Sequence, residues 1–440
     1  MKNTIAFTML FLFGSVSLLS AKQCEFQLTA AKPVLLAGKK QTVGLKVGVK
    51  GFELKSEKER SPLNVAIVID RSGSMSGAKM ERAKEAAIQA LQCLDSRDIV
   101  SLVTFDDSVN VVVPATKLTD RSKVEQAIKS IKAGGSTALY DGIKKGGEEV
   151  KKFLEKEYVN RIVLLSDGQA NVGPSSSEEI AKLGKAIAGR GITVSTFGLG
   201  DGYNEDLMAK LALASDGNHK FIEGADKLAD IFQKEFNSAL SVVAQDVACT
   251  VTLPDNVRPV RALNMTENVD IKGQTVTFGW NQLYSRHERF VMLEVEVPAT
   301  EDGKKIELAK AALKYLNMET KDMDHLSSKA DVRFSDSESQ VKESVNKPVM
   351  EDYVELLANA ETERAIKLRD SGDVSGAQKI FMSNSSMLRG YAKDLGGSLR
   401  LNQSAGDNDL YHRQVDSPSW SSDRKMLRER QNSAHTQQLF

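Results

Sequence analysis

Three short segments of this 440-residue chain carry side-chain oxygens in a pattern that could hold a hard cation. Asp70-Arg71-Ser72-Gly73-Ser74 follows one apolar run, Gly134-Gly135-Ser136-Thr137 opens a helical pattern, and Ser166-Asp167-Gly168 closes a second apolar run. Each alone has a plainer explanation. Ser72 to Ser74 could be a turn and helix cap, and Asp167-Gly168 a turn after a strand. Together, Asp70, Ser72, Ser74, Thr137 and Asp167 supply two carboxylates and three hydroxyls. Oxygen-only ligation with so few carboxylates suits magnesium, which keeps an octahedral shell and completes it with water; calcium and manganese are the alternatives. Hydroxyls donate little electron density, so an ion held this way stays electrophilic. With one coordination position open, it would grip the carboxylate of an Asp or Glu on a protein partner. No His or extra carboxylate in the three segments could serve as a general base. Asp106 and Asp107 follow a neighbouring strand and read as its turn.

These segments need a scaffold that brings them to one place. Residues 63–240 alternate short apolar runs with amphipathic stretches. The run at 65–69 is apolar without alternation, as expected for a strand buried on both faces; 161–166 reads as another buried strand, and 99–105 and 193–199 as further strands. Between the first two, Met80, Ala83, Ala87, Leu91 and Leu94 recur at helical spacing. Residues 109–113 read as a further strand, 122–131 and 139–154 as helices, and 178–188, 205–214 and 227–240 likewise. The pattern predicts a doubly wound, mostly parallel α/β sheet with helices on both faces. In such a sheet ligands bind beyond the carboxyl ends of the strands, at the switch point, and all three segments fall on that edge.

The flanks differ. Residues 22–62 and 241–335 contain alternating strand patterns that could assemble into one antiparallel β-sandwich, with the central domain inserted as an excursion. The stretch 306–316 fits helix by its Ala, Lys and Leu content, but Ala311, Leu313 and Tyr315 on one side favour strand. Residues 348–398 predict a helical hairpin turning at Gly372, with Asp373 capping the second helix. Such a pair cannot bury its own apolar face and reads as a brace. Residues 402–440 are poor in apolar side chains and predict a disordered tail, with Arg424, Lys425, Arg428 and Arg430 solvated. Cys93 reads as a free thiol on a buried helix face, while Cys24 and Cys249 could pair if the compartment is oxidising.

The five oxygen-bearing residues match all five positions of the metal-ion-dependent adhesion site of von Willebrand factor A domains, which residues 63–240 resemble in order and spacing. Residues 66–75 and 163–168 are both close to the family pattern. The resemblance implies that Ser72, Ser74 and Thr137 contact the metal directly, and that Asp70 and Asp167 act directly or through water. More loosely, the whole chain is similar to bacterial secreted or periplasmic proteins in which β-rich segments and a helical hairpin surround this domain.

Lys plus Arg and Asp plus Glu both total 59, so the formal net charge is zero, which gives no support to nucleic acid or an anionic membrane as main partner. Residues 1–21 read as a signal peptide: Lys2 starts an apolar run too short to span a bilayer comfortably. An N-terminal membrane anchor is the rival reading. The sequence thus predicts an exported, secreted or periplasmic protein with a binding rather than catalytic site, serving adhesion or scaffolding. The alternatives are a structural component of an envelope complex, its metal stabilising the fold, and a metal-dependent hydrolase.

Overall fold

Every residue of four segments, Leu63–Asp70, Ile99–Phe105, Val159–Ser166 and Ile192–Leu199, is buried, and these segments form the centre of a sheet covered on both faces. The computed structural model describes residues 23–438 except 56–59, 169, 201, 266 and 267. The expected signal peptide therefore lies outside the described residues.

In chain order, β1 (Glu25–Ala30), β2 (Val34–Leu36) and β3 (Gln41–Lys50) precede the α/β unit. That unit runs β4 (Leu63–Asp70), α1 (Ala78–Gln92), β5 (Ile99–Phe105), β6 (Val109–Lys117), α2 (Arg121–Lys129), α3 (Leu139–Lys151) and β7 (Val159–Ser166). It continues with α4 (Ser177–Ala188), β8 (Ile192–Leu199), α5 (Glu205–Ala214), β9 (His219–Ile222) and α6 (Leu228–Leu240). The sheet order is β6-β5-β4-β7-β8-β9, parallel throughout except for β6 at one edge. Leu91, Ile128 and Phe232 of α1, α2 and α6 pack on one face; Ile143, Ile180 and Leu211 of α3, α4 and α5 pack on the other.

The strands after α6 are β10 (Val242–Thr252), β11 (Arg258–Ala262), β12 (Asp270–Lys272), β13 (Thr275–Tyr284), β14 (Glu288–Val297), β15 (Lys305–Asn317) and β16 (Met323–Ser335). They join β1 to β3 in two sheets, ordered β1-β3-β14-β11 and β12-β13-β10-β15-β16-β2, that share one hydrophobic core. Pairing is antiparallel apart from β16 with β2. β3 pairs with β14 from Gln41↔Val297 to Lys50↔Glu288, across the whole sequence of the α/β unit, so that unit is an excursion from the sandwich. The ambiguous stretch 306–316 is strand, inside β15. Neighbours on both sides, β10 and β16, satisfy its backbone, which outweighs its helical composition.

Five helices follow: α7 (Glu338–Glu343), α8 (Lys347–Asp370), α9 (Val374–Asp394), α10 (Leu399–Gln414) and α11 (Trp420–Thr436). The hairpin turns at Gly372 (φ +93°), and Asp373 accepts from Gly376 N at the start of α9. The disorder expected for residues 402–440 is overturned, because α10 and α11 occupy most of that stretch. Leu401 and Ala405 join the core of the hairpin, and Tyr411, Trp420 and Leu427 pack with Phe381. The basic cluster is engaged rather than solvated. Arg424 pairs with Glu205, with Asp206 at 2.6 Å and with Asp370 at 2.8 Å; Lys425 pairs with Glu205 at 2.7 Å and Arg428 with Asp206 at 2.7 Å. The low apolar content misled because ion pairs to α5 and α8, not apolar area alone, dock α11.

All three cysteines are free; Cys24 and Cys249 are buried in the sandwich core, and Cys93 is half-buried at the end of α1 rather than fully buried. Among the described residues no helix is long and apolar enough to cross a membrane.

Arg424→Ala leaves Glu205 and Asp206 short of a partner in a partly buried cluster and should cost about 1–3 kcal/mol. Faster amide exchange confined mainly to α11 is the expected signature. His219, buried in β9 with Nδ1 2.9 Å from Thr196 Oγ1, has its pKa pushed from 6.5 down to about 3 by burial. The fold keeps this ring neutral while the unfolded chain protonates it. Its contribution is therefore full above pH 6.5 and declines as pH falls toward about 3. In denaturant melts, His219→Gln should lose less stability than the parent on acidification, by about 1 kcal/mol or more per pH unit below the unfolded pKa.

Candidate metal centre at the sheet edge

β4 and β7 are adjacent parallel strands in register from Leu63↔Val159 to Ile69↔Leu165, so they finish together. Asp70 ends β4, and Asp167 follows Ser166 at the end of β7. The chain leaves β4 toward β5 on one side and later returns as β7 on the other, which makes this the switch point of the sheet.

The third segment is tied to the first through the backbone. Gly134 N donates to Arg71 O at 2.7 Å, and Gly73 N donates to Gly135 O at 3.0 Å. Gly135 has φ +82°, and a Cβ there would stand 2.5 Å from Asp107 Oδ2 and 3.0 Å from Asp106 Cβ. Only glycine meets both demands. The Asp107 carboxylate accepts from Ser136 N at 3.1 Å, and Asp106 pairs with Arg71 at 2.7 Å. These two aspartates hold the loops against each other.

All five expected residues converge on this edge. Asp70, Ser72, Thr137 and Asp167 are buried and Ser74 is exposed, so the site opens on the Ser74 side. Ser74 Oγ donates to Asp167 Oδ1 at 2.7 Å and lies 3.1 Å from Ser72 Oγ. A methyl group on Gly168 would lie 3.1 Å from Thr137 Oγ1 and 3.5 Å from Asp70 Oδ2, so both oxygens face the same small space. Asp70 Oδ1 accepts from Ser72 N at 2.8 Å, and Oδ2 accepts from the Ser166 hydroxyl at 2.5 Å.

Burial pushes the Asp70 carboxyl above its ordinary pKa and the Asp167 charge adds to the rise, against hydrogen bonds from Ser166 and Ser72. Two carboxylates forced together in poor solvent call for a cation. The oxygen spacings of 2.7 and 3.1 Å bracket the edge of a magnesium octahedron, about 3.0 Å for metal–oxygen bonds of about 2.1 Å. The donor set therefore fits a divalent ion. Among the described residues no group of three or more His, Cys, Asp or Glu side chains could hold a metal, so the candidate centre depends on hydroxyls beside its two carboxylates.

Four contributors escaped the sequence reading. Lys79, in the first turn of α1, donates Nζ to Asp167 Oδ2. Asn171 Oδ1 accepts from Thr137 N at 2.8 Å, Ser166 supports Asp70, and Arg71 pairs with Asp106. Lys79 left a legible trace, since a cation in a helix's first turn opposes the macrodipole unless an acid compensates. The others depend on loop contacts that spacing does not reveal. Gly168→Ala should leave the fold intact but press on Thr137, and should weaken magnesium binding at least about tenfold by titration calorimetry, since a displaced ligand easily costs about 1.4 kcal/mol.

Residues 64–234 match the model of the von Willebrand factor type A domain. An uncharacterised protein of Synechocystis is 26% identical over 332 residues, 74% of this chain and 78% of its own length. The uncharacterised Escherichia coli protein YfbK is 30% identical over 47% of this chain, and human inter-alpha-trypsin inhibitor heavy chain H3 is 28% identical over 47%. This chain spans only 36% and 24% of those two relatives. The solved structure of a von Willebrand factor type A protein from Catenulispora acidiphila shares the fold over 94% of this chain and 96% of its own, with TM-score 0.72 and 18% identity. Residues 64–234 of this chain, with the buried parallel sheet and the candidate centre at its edge, form a von Willebrand factor type A domain.

Proposed function

We propose that the protein is exported and acts as a divalent-metal-dependent adhesion or scaffold module that captures an acidic residue of a protein partner. The observation that carries this reading is the convergence of Asp70, Ser72, Ser74, Thr137 and Asp167, with both carboxylates buried, on an edge open at Ser74. Ser72, Ser74 and Thr137 would hold the ion directly, and Asp70 and Asp167 directly or through water. Magnesium suits this set best, with calcium or manganese as substitutes. Bound there, the ion would supply an electrophilic position for a carboxylate oxygen. Three of the five donors are neutral hydroxyls, so the ion would keep enough positive character to favour an Asp or Glu side chain as ligand.

Domains of this type generally mediate metal-dependent protein–protein interaction and are mostly not enzymes. Asp106 and Asp107 are committed to the loops, which weighs against the hydrolase reading. Export is supported by the character of residues 1–21. A structural role in an envelope complex has one observation in its favour: a cation between Asp70 and Asp167 would relieve their repulsion and stabilise the fold whether or not a partner binds.

Millimolar magnesium should raise the melting temperature by several degrees, the order expected when a ligand at 100 times its Kd contributes about 2.7 kcal/mol. Asp70→Ala should remove that response while the protein remains folded by circular dichroism. Cross-linking in the native cell should capture a partner in magnesium but not in chelator, and not with Asp70→Ala. Equal capture in chelator would refute metal-dependent binding, and a magnesium shift without any metal-dependent partner would favour the structural reading.

A further inference from the structure

Lys79 stands out among the groups near the sheet edge because it is a cation placed where a cation is already called for. It lies in the first turn of α1, its Nζ hydrogen-bonded to Asp167 Oδ2. The Asp167 side chain is 0% exposed, whereas that of Lys79 is 38% exposed. One end of this ion pair is fixed in the protein and the other is free to swing into water. Across the rim is Gly200 (φ +72°), where even a methyl group would come within 4.0 Å of Lys79 Nζ and Cε. The same carboxylate gives its other oxygen, Oδ1, to Ser74.

We infer that Lys79 is a built-in counter-ion that neutralises Asp167 in the metal-free protein and is displaced when a divalent cation enters, so that it sets the metal affinity of the site. The inference rests on the metal-binding reading above and goes further, in assigning a residue that tunes occupancy without ligating. Without a cation, the ammonium removes one of two facing charges and keeps Asp70 and Asp167 from repelling. As the ion arrives, two positive centres would share one carboxylate, and the lysine, tethered only by its flexible stem, is the one that leaves. Metal binding must therefore break an ion pair. The site gives up affinity in exchange for stability when empty, and fills only where the divalent cation is abundant enough.

Lys79→Met tests the idea. It should bind magnesium about five- to tenfold tighter than the parent by titration calorimetry, the size expected for removing a partly solvated like charge. Its metal-free form should melt lower and its magnesium-saturated form close to the parent, so the magnesium-induced shift widens. Lys79→Arg, which keeps the charge, should stay within about twofold of the parent affinity. Should Lys79→Met not fold, acetic anhydride footprinting of the unaltered full chain reads displacement directly, as Lys79 acetylation should rise several-fold on adding magnesium. If the parent binds magnesium but Lys79→Met binds no tighter, or Lys79 reactivity does not change, the counter-ion role is wrong and the metal site stands. If the parent binds no magnesium at all, both fall.

Discussion

Two carboxylates at the ends of neighbouring buried strands present an electrostatic problem around which this edge of the molecule is organised. β4 and β7 finish side by side, and helices cover both faces of their sheet, so Asp70 and Asp167 lie together with little water to screen them. Several features answer that problem. The Ser72 amide and the Ser166 hydroxyl bind Asp70; the Ser74 hydroxyl and the Lys79 ammonium bind Asp167. The tight loop contacts through Gly135 then bring Thr137 to the same space. Each of these contacts compensates a charge that the fold has taken out of water.

The far end of β7 is anchored by a second buried charge system. Arg161 pairs with Glu235 of α6 at 2.5 Å and reaches Gln282 and Tyr284 of β13 at 2.5 and 2.9 Å. Glu235 also accepts from Ser195 of β8 and from Asn218. Nearby, Arg289 of β14 grips Asp216 after α5. Buried pairs of this kind add little net stability, but removing one partner strands the other, so they fix how the α/β unit sits on the sandwich. The strand that carries Asp167 at one end is thus locked to the β-sandwich at the other.

The C-terminal helices complete this framework. A hairpin of α8 and α9 alone would leave an apolar face open, and α10 and α11 cover it. α11 in turn ties the bundle to the α/β unit through Glu205 and Asp206 at the start of α5, acids well placed at a helix N-terminus. Lys425 Nζ also contacts the carbonyl of Tyr203 and lies 4.8 Å from its ring. That tyrosine packs against Gly198, near the end of β8, where a Cβ would meet its ring at 2.2 Å.

Local pattern was enough to read the doubly wound sheet and to point to the ends of β4 and β7 as the candidate centre. The apolar run before Asp70 and the buried-strand pattern before Asp167, alternating with helical stretches, mark those two residues as strand ends. Gly372 and Asp373 likewise announced their turn through backbone chemistry that is local. Other features depend on partners distant in sequence. Composition could not settle 306–316 as strand, because β10 and β16 supply the hydrogen bonds that make it one. Residues 402–440 looked too polar to fold because their stabilising acids, Glu205, Asp206 and Asp370, lie elsewhere in the chain. Lys79 belongs to the same class: its charge was visible, but the carboxylate it neutralises is 88 residues away. Local pattern records what a segment must bury, whereas compensation of charge is settled when distant segments meet.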